Sequence, residues 1–134
     1  MRWTPEQLEA YRKKQTRSCR QEIPPREKAL PERMNKLEAR YANHLELLLK
    51  AGEILHWEYE PFALRLGYRC TYSPDFLVVY PNRVECHETK GGFAREDSIV
   101  KFKTAAERFW WMRFVMVFWK NRQWEMKAYG IEAE

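Results

Sequence analysis

The sequence predicts an α/β sandwich: a mixed central sheet with helices on both faces, and one further helix ahead of it at the N-terminus. Three observations lead there. Residues 76–80 are a β-branched and aromatic run that Pro81-Asn82-Arg83 joins to a second strand, residues 84–90, ended by Gly91-Gly92, the pattern of a β-hairpin. Residues 112–119, MRFVMVFW, are apolar on both faces of a strand, as expected of a central strand covered on both sides. Residues 31–50 and 96–109 repeat apolar side chains at helical spacing, so each can supply a covering layer.

Taken in order, Thr4-Pro5-Glu6-Gln7 is a helix start, with Thr4 as N-cap, Pro5 at the first helical position and Gln7 closing a capping box. The helix it opens runs to about Arg17. It carries Arg12, Lys13, Lys14 and Arg17, a basic face that suits either solvent or phosphate contacts. Pro24-Pro25 then breaks the chain, which makes residues 18–30 a linker. The chain divides accordingly into a basic helix with its linker, residues 1–30, and a domain, residues 31–134.

Pro31 is expected to open the second helix, which extends to about Lys50 with Met34, Leu37, Tyr41, Leu45 and Leu48 as its apolar stripe and Gly52 placed to end it. Glu38 stands at the edge of that stripe, where a carboxylate needs a partner, a water or a metal; a salt bridge to a nearby arginine is the ordinary reading. Residues 54–62 and 63–72 alternate apolar and polar side chains around Pro61 and Gly67, which reads as a first strand and an approach to the second. The hairpin follows and ends at Gly91-Gly92. A helix from Glu96 to Phe109 turns Ile99, Phe102, Ala106 and Phe109 inward and carries Lys101, Lys103 and Arg108 elsewhere on its surface. Lys120-Asn121-Arg122 finally turns the central strand into a last short one, Gln123 to Tyr129.

The hairpin carries more charge than a structural hairpin needs. Because side chains alternate along a strand, Cys86, Glu88 and Lys90 share one face and Glu85, His87 and Thr89 the other. Asp75 stands at the start of the partner strand, just after Pro74, and so short a turn lays the two strands side by side. Asp75, Glu88 and Lys90 can then converge. Taken one at a time, these residues read as a turn cap and an exposed ion pair.

Composition narrows the classes. With 134 residues the chain is one domain, short for an enzyme that binds and cuts a polymer unless it dimerises. Lysine and arginine exceed aspartate and glutamate by 24 − 19 = +5, and the pI near 9.2 favours an anionic partner such as nucleic acid. Cys19, Cys70 and Cys86 lack CxxC spacing, against a disulfide framework or zinc knuckle and in keeping with a reducing compartment. The run Phe114 to Trp119 is too short to span a bilayer, and no membrane segment or small-molecule organic cofactor is expected. His44, His56 and His87 are scattered, with His87 facing away from Glu88, so neither a zinc site nor a histidine base gains support. Cys86 is expected as a small core residue, and most of Phe109, Trp110, Trp111, Phe114, Phe118, Trp119 and Trp124 as core or dimer interface.

Pro74-Asp75 followed by Glu88-Thr89-Lys90 resembles the PD-(D/E)XK nuclease superfamily. The upstream MNKLEARYANHLELLLKAGEI, the SPDFLVV strand, the ETKGG end and the downstream KFKTAAE together are similar to its small phage-type endonucleases, over roughly residues 34–118. The resemblance implies a restriction-endonuclease-like core and a Mg²⁺-dependent, structure-specific DNA endonuclease, in which Mn²⁺ can substitute. It implies that Asp75 and Glu88 hold the metal with the Thr89 backbone carbonyl, that Glu38 acts directly or through a water, and that Lys90 positions the attacking water. Gly91 and Gly92 would let DNA pass beside the site, and Lys101 and Lys103 would line the DNA groove. By the same resemblance the protein is a homodimer resolving four-way (Holliday) junctions in recombination or repair, in a bacterial host's cytoplasm if phage-encoded. A general nicking or repair nuclease on duplex or flapped DNA, and a non-catalytic DNA-binding module on this fold, stay open as alternatives.

Overall fold

The computed structural model describes residues 2–18, 34–91 and 96–130, with side chains only from 2–14 in the first of these stretches. Helix α1, Pro5–Ser18, starts where the sequence places it, with Thr4 N–H donating to Gln7 Oε1 at 2.9 Å and Gln7 N–H to Thr4 Oγ1 at 3.2 Å. Its described side chains are all exposed. The expected linker lies outside the described residues beyond Ser18.

Helix α2, Lys36–Lys50, corrects one boundary. It is capped at Asn35 rather than opened at Pro31, because Asn35 Oδ1 accepts from Glu38 N–H at 2.8 Å while Glu38 Oε2 accepts from Asn35 N–H at 3.1 Å. Two of the four unpaired N–H groups of a helix start are satisfied by this exchange, which fixes the first turn. At the other end Gly52 adopts φ +78°, and the bonds Gly52 N–H to Leu49 O and Glu53 N–H to Leu48 O close a Schellman turn as expected of that glycine.

Seven strands follow among the described residues. They are β1 (His56–Tyr59), β2 (Leu64–Gly67), β3 (Cys70–Tyr72), β4 (Phe76–Val79) and β5 (Val84–Lys90), then helix α3 (Glu96–Arg108), then β6 (Arg113–Lys120) and β7 (Gln123–Tyr129). The central sheet has the order β1-β4-β5-β6-β7 and is mixed: only β5 and β6 run parallel, joined by α3 as the crossover. Asn121 and Arg122 both take positive φ, which lets so tight a turn join β6 to β7 with the twist of the strands.

Alternation along β6 divides the core. Val115 and Val117 join Tyr41 and Leu45 of α2 with Trp57, Phe76 and Val78, whereas Phe114 and Met116 join Phe102, Ala105 and Ala106 of α3 with Cys86. The two helices therefore cover opposite faces, and the fold is the expected α/β sandwich with a mixed sheet. One segment differs from the sequence reading. Residues 64–72 form a separate antiparallel hairpin, β2–β3, in place of an approach to the second strand, because Leu64 and Tyr72 bury themselves against α3 instead of extending the main sheet.

Candidate active site

Strands β4 and β5 pair from Val79↔Val84 to Phe76↔His87, and one further step in the same register sets Asp75 opposite Glu88. Opposed residues of an antiparallel pair project from the same face, so the two carboxylates are neighbours by geometry of the ladder. Asp75 sits just outside β4, and its backbone is tied to the β1 side by Glu60 N–H donating to Asp75 O at 2.8 Å. Its Oδ2 accepts from Thr89 N–H at 2.9 Å and from Thr89 Oγ1 at 3.0 Å. Beyond the carbonyl that the resemblance implies as a metal ligand, Thr89 orients Asp75 through its amide and hydroxyl.

Glu88 is held from two sides. Oε2 accepts from the Tyr72 hydroxyl, which the β2–β3 hairpin delivers, and Oε1 lies 3.5 Å from Lys90 Nζ. Glu88 and Lys90 are only 13% and 19% exposed, which removes the reading of an exposed surface ion pair. Burial and then the charge of Glu88 push the Asp75 carboxyl up to about 7, against the lowering effect of the two Thr89 bonds. Burial likewise raises Glu88, although Tyr72, Lys90 and the Asp75 backbone all oppose it. Burial, followed by the nearby Glu88 charge, also pushes the Tyr72 hydroxyl up, which keeps it a neutral donor.

Glu38 is brought to the edge of this cluster. Its Oε2, besides closing the α2 cap, accepts from the Tyr59 hydroxyl at 2.8 Å, and its charge adds to the upward push on Asp75. Its partner here is a tyrosine, not the arginine of the ordinary salt-bridge reading. Among the described residues no three His, Cys, Asp or Glu side chains converge into a ready-made metal cluster. A hard cation would take Asp75 and Glu88 as its protein carboxylates and draw the rest of its shell from main-chain oxygen and water, which is how Mg²⁺ is commonly held. Two desolvated, mutually repelling carboxylates balanced by one lysine fit that role.

Other expected site residues lie apart. Lys101 and Lys103 are exposed on α3, and Lys103 Nζ sits 5.9 Å from the Tyr129 ring. Arg12, Lys13 and Lys14 are exposed on α1, with Lys13 3.6 Å from Glu9; the Arg17 side chain lies outside the described residues. Among the described residues a Cβ on Gly91 would meet only Leu37 Cδ2 at 3.9 Å, an ordinary contact, so no described neighbour requires glycine there. Gly92 is outside the described residues. Cys86 is buried as expected, and burial pushes its thiol up to about 12.

No family model, curated protein or solved structure matches this chain. The site therefore rests on its own geometry.

The opposite face of β5 holds a second polar group that sequence reasoning missed. His87 is fully buried between the Tyr41 hydroxyl, at Nδ1, and Glu85 Oε1, 2.9 Å from Nε2; Arg83 donates to Glu85 Oε2. Burial would raise Glu85, but its bonds to His87 and Arg83 outweigh that and hold its carboxyl below the usual range. Only the alternation of Glu85 and His87 hinted at this group; Tyr41 is distant in sequence.

Proposed function

We propose that the protein is a Mg²⁺-dependent DNA endonuclease of the PD-(D/E)XK type, acting on branched DNA, with four-way junctions as the principal substrate. The reading is carried by the facing of Asp75 and Glu88 across the β4–β5 register with Lys90 beside Glu88. Bound there, Mg²⁺ or Mn²⁺ would neutralise charge on the phosphate and make a water more acidic. Asp75 and Glu88 would hold the cation, assisted by the Thr89 carbonyl, and Glu38 would contribute through a water. Thr89 keeps Asp75 in one orientation, and Tyr72 does the same for Glu88. Lys90 lies beside Glu88, with Nζ 3.5 Å from Oε1, where it orients the attacking water and attracts the non-bridging phosphate oxygens.

One active site cuts one strand, whereas a junction is resolved by two opposed cuts. A two-fold homodimer supplies both and matches the symmetry of its substrate. Binding by shape and backbone charge also explains why the chain carries no base-reading motif. The test is incubation with a four-way junction, a flap and a blunt duplex, with and without Mg²⁺. Paired nicks in the junction, abolished by EDTA, are expected. Equal cutting of all three substrates would make it a general nicking or repair nuclease, and binding without metal-dependent cutting would make it a DNA-binding module.

A further inference from the structure

The end of α3 and the start of the β2–β3 hairpin enclose an open groove of about 600 Å³, lined by Ala63, Leu64, Arg65, Arg108, Phe109 and Trp111. Trp111 and the adjacent Trp110 are 61% and 69% exposed, although tryptophan is on average among the well-buried residues. The rings are not scattered. Trp111 stands edge-on to Phe109, with centroids 5.3 Å apart, and to Trp110 at 6.0 Å, so the three form one aromatic cluster in which Phe109 is half-buried against the core and both tryptophans are exposed. Both arginines of the groove are exposed, and neither is ion-paired to a carboxylate among the described residues: Arg65 Nε donates to Gly67 O at 3.4 Å, and Arg108 lies 6.0 Å from the Phe109 ring. The tip of the same hairpin repeats the combination, with Tyr68 80% exposed and Arg69 over its ring at 5.2 Å.

The occupant must satisfy both halves of this surface. A second copy of the chain would present the same guanidinium groups and its own net charge of +5, so like charges would meet. Guanidinium groups call for an anion, and exposed tryptophan rings call for flat partners of similar size. Nucleic acid supplies both together, and its base faces are accessible only where the bases are unpaired, since in a duplex they are already stacked on one another.

We propose that this groove binds an unpaired nucleic-acid strand, with bases stacked on Trp110 and Trp111 and phosphates held by Arg65 and Arg108. The choice of DNA rests on the nuclease reading above; the choice of an unpaired strand rests on the groove alone. Its position gives it a distinct task. Arg113, just beyond Trp111, pairs with Glu85, three ladder positions or about 10 Å before Met116, the partner of Glu88. A strand seated in the groove is therefore a flank of the cut position, and among branched substrates the groove engages those whose bases come unpaired at the branch point.

The experiment is fluorescence anisotropy of the full chain with a labelled oligothymidylate and with a blunt duplex of equal length, both in EDTA so that no cleavage intervenes. Trp110→Ala and Trp111→Ala are each expected to weaken oligothymidylate binding by roughly 5- to 100-fold, while duplex affinity changes by less than about 3-fold. Trp111→Phe should retain most of the affinity, and thermal melting should be unchanged because these rings are exposed. Unaltered oligothymidylate binding in both alanine variants overturns the inference. So does light scattering in which Trp111→Ala turns a dimer into a monomer, which would make the groove an interface between copies. The nuclease reading fails separately: a wild-type protein that never cuts DNA but loses oligothymidylate binding on Trp111→Ala keeps the groove and loses the active site.

Discussion

Strand β5 carries a carboxylate largely shielded from solvent on each face, Glu85 buried and Glu88 partly buried, and the two are treated in opposite ways. Glu85 meets His87 and Arg83, and these donors hold its carboxyl below the ordinary range despite burial. Glu88 meets another carboxylate, Asp75; burial raises both, and the charge of Glu88 pushes Asp75 up further. Depth alone does not separate them. The difference lies in the balance of donors to acceptors: one face is internally satisfied and acts as a structural tie from β5 to α2, while the other is short of positive charge and is suited to a cation.

The sharpest way to break this comparison is to remove the unsatisfied face. Asp75→Ala and Glu88→Ala should each lower Mg²⁺-dependent cleavage by at least about 10³-fold with DNA binding retained, and Lys90→Ala by about 10²- to 10³-fold. Single-turnover gels on a junction measure it; wild-type rates in all three variants would reduce Asp75, Glu88 and Lys90 to a structural cluster.

Removing a member of the satisfied face should strike stability instead. His87→Ala leaves Glu85 and the Tyr41 hydroxyl buried without that shared partner and opens a cavity, at a cost of roughly 3–5 kcal/mol. Urea unfolding would show it as a lower midpoint, and a loss below about 1 kcal/mol would mean that the network carries little of the fold's stability.

The contrast also has a pH signature in metal-free protein. A carboxyl at an ordinary value of 3.8 when unfolded and about 7 when folded keeps its proton longer in the native state. Stability is then highest below pH 4 for this group and is lost as pH rises toward 7. Asp75→Asn abolishes the titration, so it should stabilise the protein at pH 8 by roughly 2–4 kcal/mol, and by little at pH 4. Thermal melts at the two pH values decide this; an equal shift at both would assign the effect to packing rather than charge.

Glu38 sharpens the boundary between the two roles, since it serves a helix cap and the edge of the site at once. Glu38→Ala should cost about 1 kcal/mol of stability through the cap and lower cleavage by about 10-fold. Glu38→Gln keeps an acceptor for Asn35 N–H and removes the charge, so it should restore stability without restoring the rate. If both recover together, Glu38 acts only through the helix.

Much of this organisation is local and was therefore legible in the chain. Pro81-Asn82-Arg83 between two β-rich runs sets the β4–β5 hairpin, and alternation places Glu88 and Lys90 on one face, because turn chemistry and the two-residue period operate between neighbours. The sandwich followed from periodicity, with α2, α3 and the doubly covered β6 where their apolar patterns put them. The start of α2 was misplaced because proline is a common opener, while the reciprocal pair Asn35 and Glu38 was the decisive signal. What the tertiary structure alone decided is which distant side chains meet. Tyr72 reaches Glu88 across 16 residues and Tyr41 reaches His87 across 46, and neither spacing has a period to betray it. The exposure of Trp110 and Trp111 is likewise set by where α3 ends against the hairpin, since an aromatic residue has the same sequence signature whether a neighbour covers it or leaves it bare.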